Sequence, residues 1–444
     1  MSRPTSALPP PLRYELGGGA LALLEASHAV PLVSIVVALR SGSAADPAGK
    51  EGLARLGLRM LRRGCAGLSA EQIDFTIDAL GAEMAVDVSA STVAIHAQVI
   101  ARNVDAFVDL LARLLATPTF PQDEIDRLKR ETIAEIIESR DSDRVVATKA
   151  FQRTLFAGHP YGRNAGGTTG SVAAITRDDV LAYYRRHVVQ ANVVVGLSGD
   201  VAAARASVIA KRMVEGLPGG EAARDDVAEP AMPSGRRLLI VDKPERTQTQ
   251  ILVGALGTSP HDEDHVAFSV ANAIFGGTFT SRLMREVRSK RGWSYGASAR
   301  ASIDRHRQSW VMWTFPAAED AAACLKLTLE LMETWVSEGV TEEELAFIKG
   351  YLIGSHAFDV DTAAKRLHQA LDEELLALPS GYYEKWTDRV AAVTLEEGSR
   401  AVRRRLDPER LLAVVLGTAS DVGDALRAAV PRLGETTVVP FDAE

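Results

Sequence analysis

Two cysteines in 444 residues leave no material for a disulfide framework or a cysteine-based zinc site; Cys65 and Cys324 lie far apart, each in an apolar helical context. No uninterrupted apolar run reaches the roughly 18 residues needed to span a bilayer, so no membrane role is expected. An excess of positive charge is also missing. Lys and Arg total 50 against 58 Asp and Glu, a net charge of −8 at pH 7, and the cations are scattered along the chain. That distribution argues against a nucleic-acid partner. The chain contains no P-loop or dinucleotide fingerprint. The glycine-rich run from Asn164 to Gly170 precedes no phosphate-type helix start and reads as a turn or a flexible cleft edge. The first residues, Met1 to Pro11, are rich in Ser and Pro and lack a basic-then-apolar pattern. A cytoplasmic chain is therefore expected, or a periplasmic one whose signal has been removed.

What remains is an ordinary globular composition, 46% hydrophobic and 24% charged, on a chain long enough for two full cores. Residues 216–237 read GLPGGEAARDDVAEPAMPSGRR, with prolines and glycines and no apolar periodicity, which predicts a linker. The order of elements repeats on either side of it. In the first half the patterns predict strands at 21–24 and 32–39, helices at 49–63 and 69–80, strands at 83–88 and 92–99, and a helix at 103–116. The second half predicts strands at 238–241 and 251–255, helices at 264–275 and 282–290, strands at 297–303 and 308–314, and a helix at 317–338. Short details repeat as well. Phe120-Pro-Gln-Asp-Glu-Ile-Asp-Arg-Leu-Lys and Val340-Thr-Glu-Glu-Glu-Leu-Ala-Phe-Ile-Lys each open a further helix with an acidic first turn. Ile175-Thr-Arg-Asp-Asp-Val and Val393-Thr-Leu-Glu-Glu-Gly each lead to a last strand. The expected fold is α+β: two duplicated α/β-sandwich domains, 1–215 and 238–444, joined by the linker.

The most informative stretch runs from Gly276 to Gly296: a Gly-Gly bend, Ser281-Arg-Leu at a helix start, then Arg288 and, with six residues between them, Tyr295. Gly292 ends the helix between them, so a guanidinium and a phenol can converge on a peptide carbonyl or its developing oxyanion. The alternative is that Arg288 caps a helix C-terminus and Tyr295 is a half-buried strand residue. This stretch resembles the C-terminal domain signature of the zinc-dependent M16 peptidases, the family of pitrilysin and the mitochondrial processing peptidase. The duplicated halves, the linker, His159-Pro-Tyr-Gly-Arg with Gly166-Gly-Thr, and Gly199-Asp200 extend the resemblance over nearly the whole chain.

Active members of that family carry His-x-x-Glu-His on the first long helix of the N-terminal domain, two metal ligands one turn apart and a water-activating carboxylate. At the matching positions this chain has Arg55, Leu58 and Arg59. Two permanent cations repel a metal ion, and leucine accepts no proton. The family's third ligand has its counterpart in Glu135, expected here to pair with Arg55 or Arg59. Arg55, Arg59 and Arg62, joined by Arg63, form a stripe that faces either an acidic partner or solvent. His261-Asp-Glu-Asp-His265 mimics a metal motif, but it lies where a helix N-terminus claims the carboxylates. The other histidines, 28, 96, 159, 187, 306, 356 and 368, are isolated.

The resemblance thus implies a non-zinc-binding subunit of a heterodimeric M16-type metallopeptidase, holding no cofactor itself. Its partner would carry His-x-x-Glu-His and the zinc. Arg288 and Tyr295 would bind peptide substrate and act in trans. Two alternatives stand beside it: an inert scaffolding subunit like the M16-like core subunits of the bc1 complex, and an autonomous peptidase using His261 and His265.

Overall fold

The computed structural model describes residues 10–444; most of the Ser/Pro-rich start, Met1 to Pro9, lies outside them. Each half builds a six-stranded sheet. The first half contributes β1 (Leu12–Gly17), β2 (Ala20–Ala26), β3 (Leu32–Leu39), a two-residue pair β4 (Gly64–Cys65) and β5 (Leu68–Ser69), β6 (Glu83–Val88), β7 (Val93–Ile100) and β8 (Val193–Gly199). The second contributes β9 (Arg236–Asp242), β10 (Gln250–Leu256), β11 (Ala297–Ala301), β12 (Ser309–Thr314), β13 (Leu412–Gly417) and β14 (Leu433–Pro440). The linker is therefore shorter than the composition suggests, because Arg236 and Arg237 already belong to β9.

The sheet orders are β1-β2-β8-β3-β7-β6 and β14-β9-β13-β10-β12-β11. Five of the six positions match in both order and direction. The last strand of each half (β8, β13) lies parallel to the first inner one (β2, β9) and antiparallel to the next (β3, β10), followed by antiparallel neighbours. The duplication read from sequence order is thus present in hydrogen-bond topology. Side-chain detail repeats too. Lys129 donates to the carbonyl of Ile175 (2.6 Å) and Lys349 to that of Val393 (2.9 Å), at matching places in the repeated fragments. Thr176 and Thr394 each cap the following helix with a reciprocal capping box. The halves differ at one edge, where β1 arrives by a tight hairpin and β14 comes from the end of the chain.

By contact the chain forms two units, and they do not coincide with the segments on either side of the linker. The first comprises residues up to 136 with 163–227 and 357–384; the second comprises 137–162, 228–356 and 385–444. The reason is that each sheet takes one helix from the other half. Ala363–Leu375 lies on β2 and β8, where Leu367 and Leu371 meet Leu21, Leu23 and Val194. Asp143–Leu155 lies on β10 and β13. β2 is buried on both faces: Leu21 and Leu23 point toward the incoming helix, while Ala20, Ala22 and Leu24 join the main core of the first unit. Arg366 grips Glu25 (2.6 Å), and Glu374 accepts from Arg40 (2.6 Å) and Arg13, which holds that helix in place. Neither helix is among those expected from the sequence, although in Ala363–Leu375 the residues Leu367, Leu371 and Leu375 recur at helical spacing. Among the described residues no helix is long and apolar enough to cross a membrane.

Candidate functional site

In the second unit the helix expected at 264–275 is regular only over His265–Asn272 and then widens into a π-helical turn, Ala273–Gly277. Gly276 is required there: a Cβ would stand 2.5 Å from the Cβ and backbone nitrogen of Ala299 on β11. After a turn carrying Phe279, the chain winds again as a π-helix over Met284–Ser289. Such wide turns are frequent at functional sites because they re-aim side chains. Gly292 ends this segment in the left-handed region, φ +68°, and its N–H bonds the Arg288 carbonyl at 2.9 Å.

The Arg288 guanidinium sits 4.4 Å from the ring centre of Phe279 and 4.5 Å from that of Tyr295. Both rings thus lie within cation–π range of the same guanidinium. Phe279 is 68% exposed and Tyr295 75%. Tyr295 is thus not the half-buried strand residue of the alternative reading, and it precedes β11 instead of opening it. Neighbouring arginines are engaged: Arg282 by Glu344 (2.6 Å), Arg291 by Glu286 (2.9 Å), and Arg285 by Glu286 more distantly, at 3.8 Å. Among the described residues no carboxylate pairs with Arg288 and none of its N–H groups is hydrogen-bonded. Phe279 was missed in the sequence because nothing in a Gly-Gly-Thr-Phe-Thr run shows that the turn folds back over a side chain nine residues later.

The first unit brings together the other group of named residues. Arg55, Leu58 and Arg59 lie on the helix Leu53–Met60. Leu58 is buried in the core. Arg55 bonds Glu135 at 2.9 Å, and Arg59 takes both oxygens of the same carboxylate at 3.1 and 2.8 Å. Partial burial works against the charge on Glu135, but Arg59 and Arg55 outweigh it and hold the carboxyl below its usual range. Arg62 pairs with Asp74 (2.6 Å) and Arg63 with Glu131 (2.6 Å). The arginine stripe is therefore neither a solvated face nor a surface awaiting an acidic partner, because its charges are neutralised within the unit. The donor set does not fit zinc: the three motif positions offer two paired cations and a buried hydrocarbon.

His261-Asp-Glu-Asp-His265 fares similarly. Asp262 is held by Arg307 (2.7 Å) and Arg405 (3.1 Å), and Asp264 by Arg405. The His265 Nδ1 shares a hydrogen with the Thr258 hydroxyl at 2.8 Å. Among the described residues no group of three or more His, Cys, Asp or Glu could hold a metal. The run from Asn164 to Gly170 makes the expected turn, at Ala165 and Gly166, and then enters a helix. Thr168 caps a short helix, Thr169–Ala174, and the Ser171 hydroxyl donates to the Glu51 carbonyl at 2.8 Å, so the loop clasps the approach to the helix at Leu53.

Burial lowers the pKa of His265 to about 4, against smaller opposing fields from Asp262 and Asp264, and burial does the same to His187, which meets the Ser41 hydroxyl at 3.0 Å. Both are neutral in the folded chain while the unfolded chain takes up protons near pH 6.5. Their contribution is complete above pH 6.5 and is lost as the pH falls toward 4. Acidification from pH 7 to 5 is expected to cost about 1–2 kcal/mol for each. Denaturant unfolding at the two pH values, with His265→Gln losing its share of the slope, checks this.

Residues 21–169 match the family model described as Insulinase (Peptidase family M16), and residues 174–352 match the one described as Peptidase M16 inactive domain. The chain belongs to the M16 peptidase family. It is 28% identical over 427 residues to a protein of Mycobacterium tuberculosis described as an uncharacterized zinc protease, covering 93% of this chain and 94% of that one. It is 23% identical to a Helicobacter pylori protein described as a non-peptidase homolog, covering 84% and 86%. Among solved structures, a peptidase M16 inactive domain from Pseudomonas fluorescens superposes with a TM-score of 0.84 at 26% identity, covering 92% of this chain and 98% of that one.

Proposed function

We propose that this chain is the non-zinc subunit of a two-subunit M16-type peptidase, and that it presents Arg288 and Tyr295 to a peptide held at a partner carrying His-x-x-Glu-His. The observation that carries this reading is Arg288 itself: held by two exposed rings and, among the described residues, left without a carboxylate while the arginines around it are paired. The match of residues 174–352 to an inactive domain supports it, as does the Glu135 clamp on Arg55 and Arg59. Zinc bound by such a partner supplies an activated water. This chain's own part is to orient the peptide, with the Tyr295 hydroxyl donating to the carbonyl oxygen as charge develops there.

Metal analysis after dialysis against zinc is expected to find well under one equivalent on this chain alone. A stoichiometric site would return the autonomous peptidase to consideration. The decisive experiment is peptide hydrolysis by this chain, by a co-expressed M16 subunit carrying His-x-x-Glu-His, and by the mixture. Cleavage by the mixture alone supports the reading. The likeness to the Helicobacter pylori non-peptidase homolog favours a second reading, a scaffold without hydrolysis; a stable complex whose cleavage ignores Arg288 and Tyr295 would establish it.

A further inference from the structure

We infer that Arg288, walled by Phe279 and Tyr295, is a receptor for a carboxylate of the peptide. The inference rests on the reading above and specifies the substrate class: chains bearing a carboxylate, whether at the C-terminus or on an acidic side chain. A guanidinium has two faces and an edge. Here the rings of Phe279 and Tyr295 lie against the guanidinium at 4.4 and 4.5 Å and supply no carboxylate or carbonyl acceptor, so its N–H donors are left to act. The edge carries parallel donors in one plane, more than a single carbonyl oxygen uses and the number that two carboxylate oxygens accept side by side. None of these donors is hydrogen-bonded within the described chain, so nothing must be displaced before an anion binds.

The surroundings favour an anion as well. Although the whole chain is acidic, residues 282–291 hold Arg282, Arg285, Arg288, Lys290 and Arg291 against the single acid Glu286. Glu286 is spent on Lys290 (2.7 Å) and Arg291 (2.9 Å), and Arg282 is spent on Glu344. The one cation of this group held against two aromatic rings is also the one with no acid. The two rings restrict the guanidinium before binding, which lowers the ordering cost of a bidentate contact. They also offer apolar surface to the peptide residue that carries the carboxylate. In this arrangement Arg288 anchors the chain by its carboxylate, and the phenol of Tyr295 is left for the carbonyl.

The test is fluorescence anisotropy on the full chain alone, with one labelled unstructured peptide in four forms: C-terminal acid or amide, each with an internal Glu or Gln. Forms with a carboxylate are expected to bind about tenfold more tightly than the neutral peptide. The acid/amide and Glu/Gln comparisons show which carboxylate is used. Arg288→Gln should abolish the preference. Phe279→Ala, a change at an exposed position, should reduce the ratio between carboxylate and neutral forms severalfold. Tyr295→Phe, which keeps the ring, should retain it. Equal binding of all four forms, or a preference that survives Arg288→Gln in a folded variant, overturns the inference. The two proposals fail separately. A mixture that cleaves without any carboxylate preference removes this inference and leaves the trans-acting role, whereas a clear preference with no cleavage by the mixture does the reverse.

Discussion

In the proposed two-subunit peptidase, Tyr295→Phe is expected to cut turnover by about a hundredfold to a thousandfold, the range for removing one preorganised donor at a developing oxyanion, and Arg288→Ala, which removes the peptide's anchor, to cut kcat/KM by about tenfold to a hundredfold. The structure separates the two substitutions. Tyr295→Phe keeps the ring that flanks Arg288 and deletes only the hydroxyl, so its loss should fall on kcat, with KM little changed. Arg288→Ala removes the cation that both rings hold and should raise KM as well. Tyr295 is 75% exposed, and Arg288 makes no ion pair among the described residues, so neither change should dissolve the complex. Steady-state kinetics alongside size-exclusion chromatography measures both effects. Unchanged turnover by an intact complex would make this chain a scaffold.

Trp335→Ala is expected to destabilise the second unit by about 3–5 kcal/mol, the usual cost of truncating a buried aromatic. Trp335 is fully buried and stacks on Phe275 with ring centres 4.3 Å apart, with Trp310 and Phe268 against it at 5.8 and 6.1 Å. On a unit of this size the loss corresponds to a fall in melting temperature of roughly 6–20 °C. A phenylalanine series refines the expectation. The Trp335 Nε1–H is buried without a hydrogen-bond partner, whereas that of Trp310 donates to Asn272 at 2.7 Å. Trp335→Phe therefore discards an unsatisfied donor and should cost less than Trp310→Phe, which strands the Asn272 oxygen. Calorimetry on the three variants gives the order, and a larger loss for Trp335→Phe than for Trp310→Phe would contradict it.

Most strands and helices flanking the candidate site are legible in the linear pattern because each buries one face locally. In the first unit the strands read at 83–88 and 92–99 and the helix read at 103–116 fall within a residue of their observed limits. Elements whose burial depends on distant chain were not legible. Asp143–Leu155 carries a weak apolar stripe with Arg, Lys and Gln between, and only contact with β10 and β13 reveals what it covers. β14 is largely exposed on an edge, so it lacks the apolar signature of a core strand. The two π-helical turns keep a helical composition and change only the winding.

By itself the sequence determined the duplication, the α+β class and the chemical unsuitability of Arg55, Leu58 and Arg59 as metal ligands, because those properties reside in residue type and spacing. Tertiary structure decided which charges are spent and which remain available. Arg55, Arg59, Arg62 and Arg63 carry the same charge as Arg288, but the first four meet carboxylates brought from elsewhere in the fold, while Arg288 meets two aromatic rings. The worth of a charge depends on its distance to its counter-charge and on the water between them, and those distances exist only once the chain has folded.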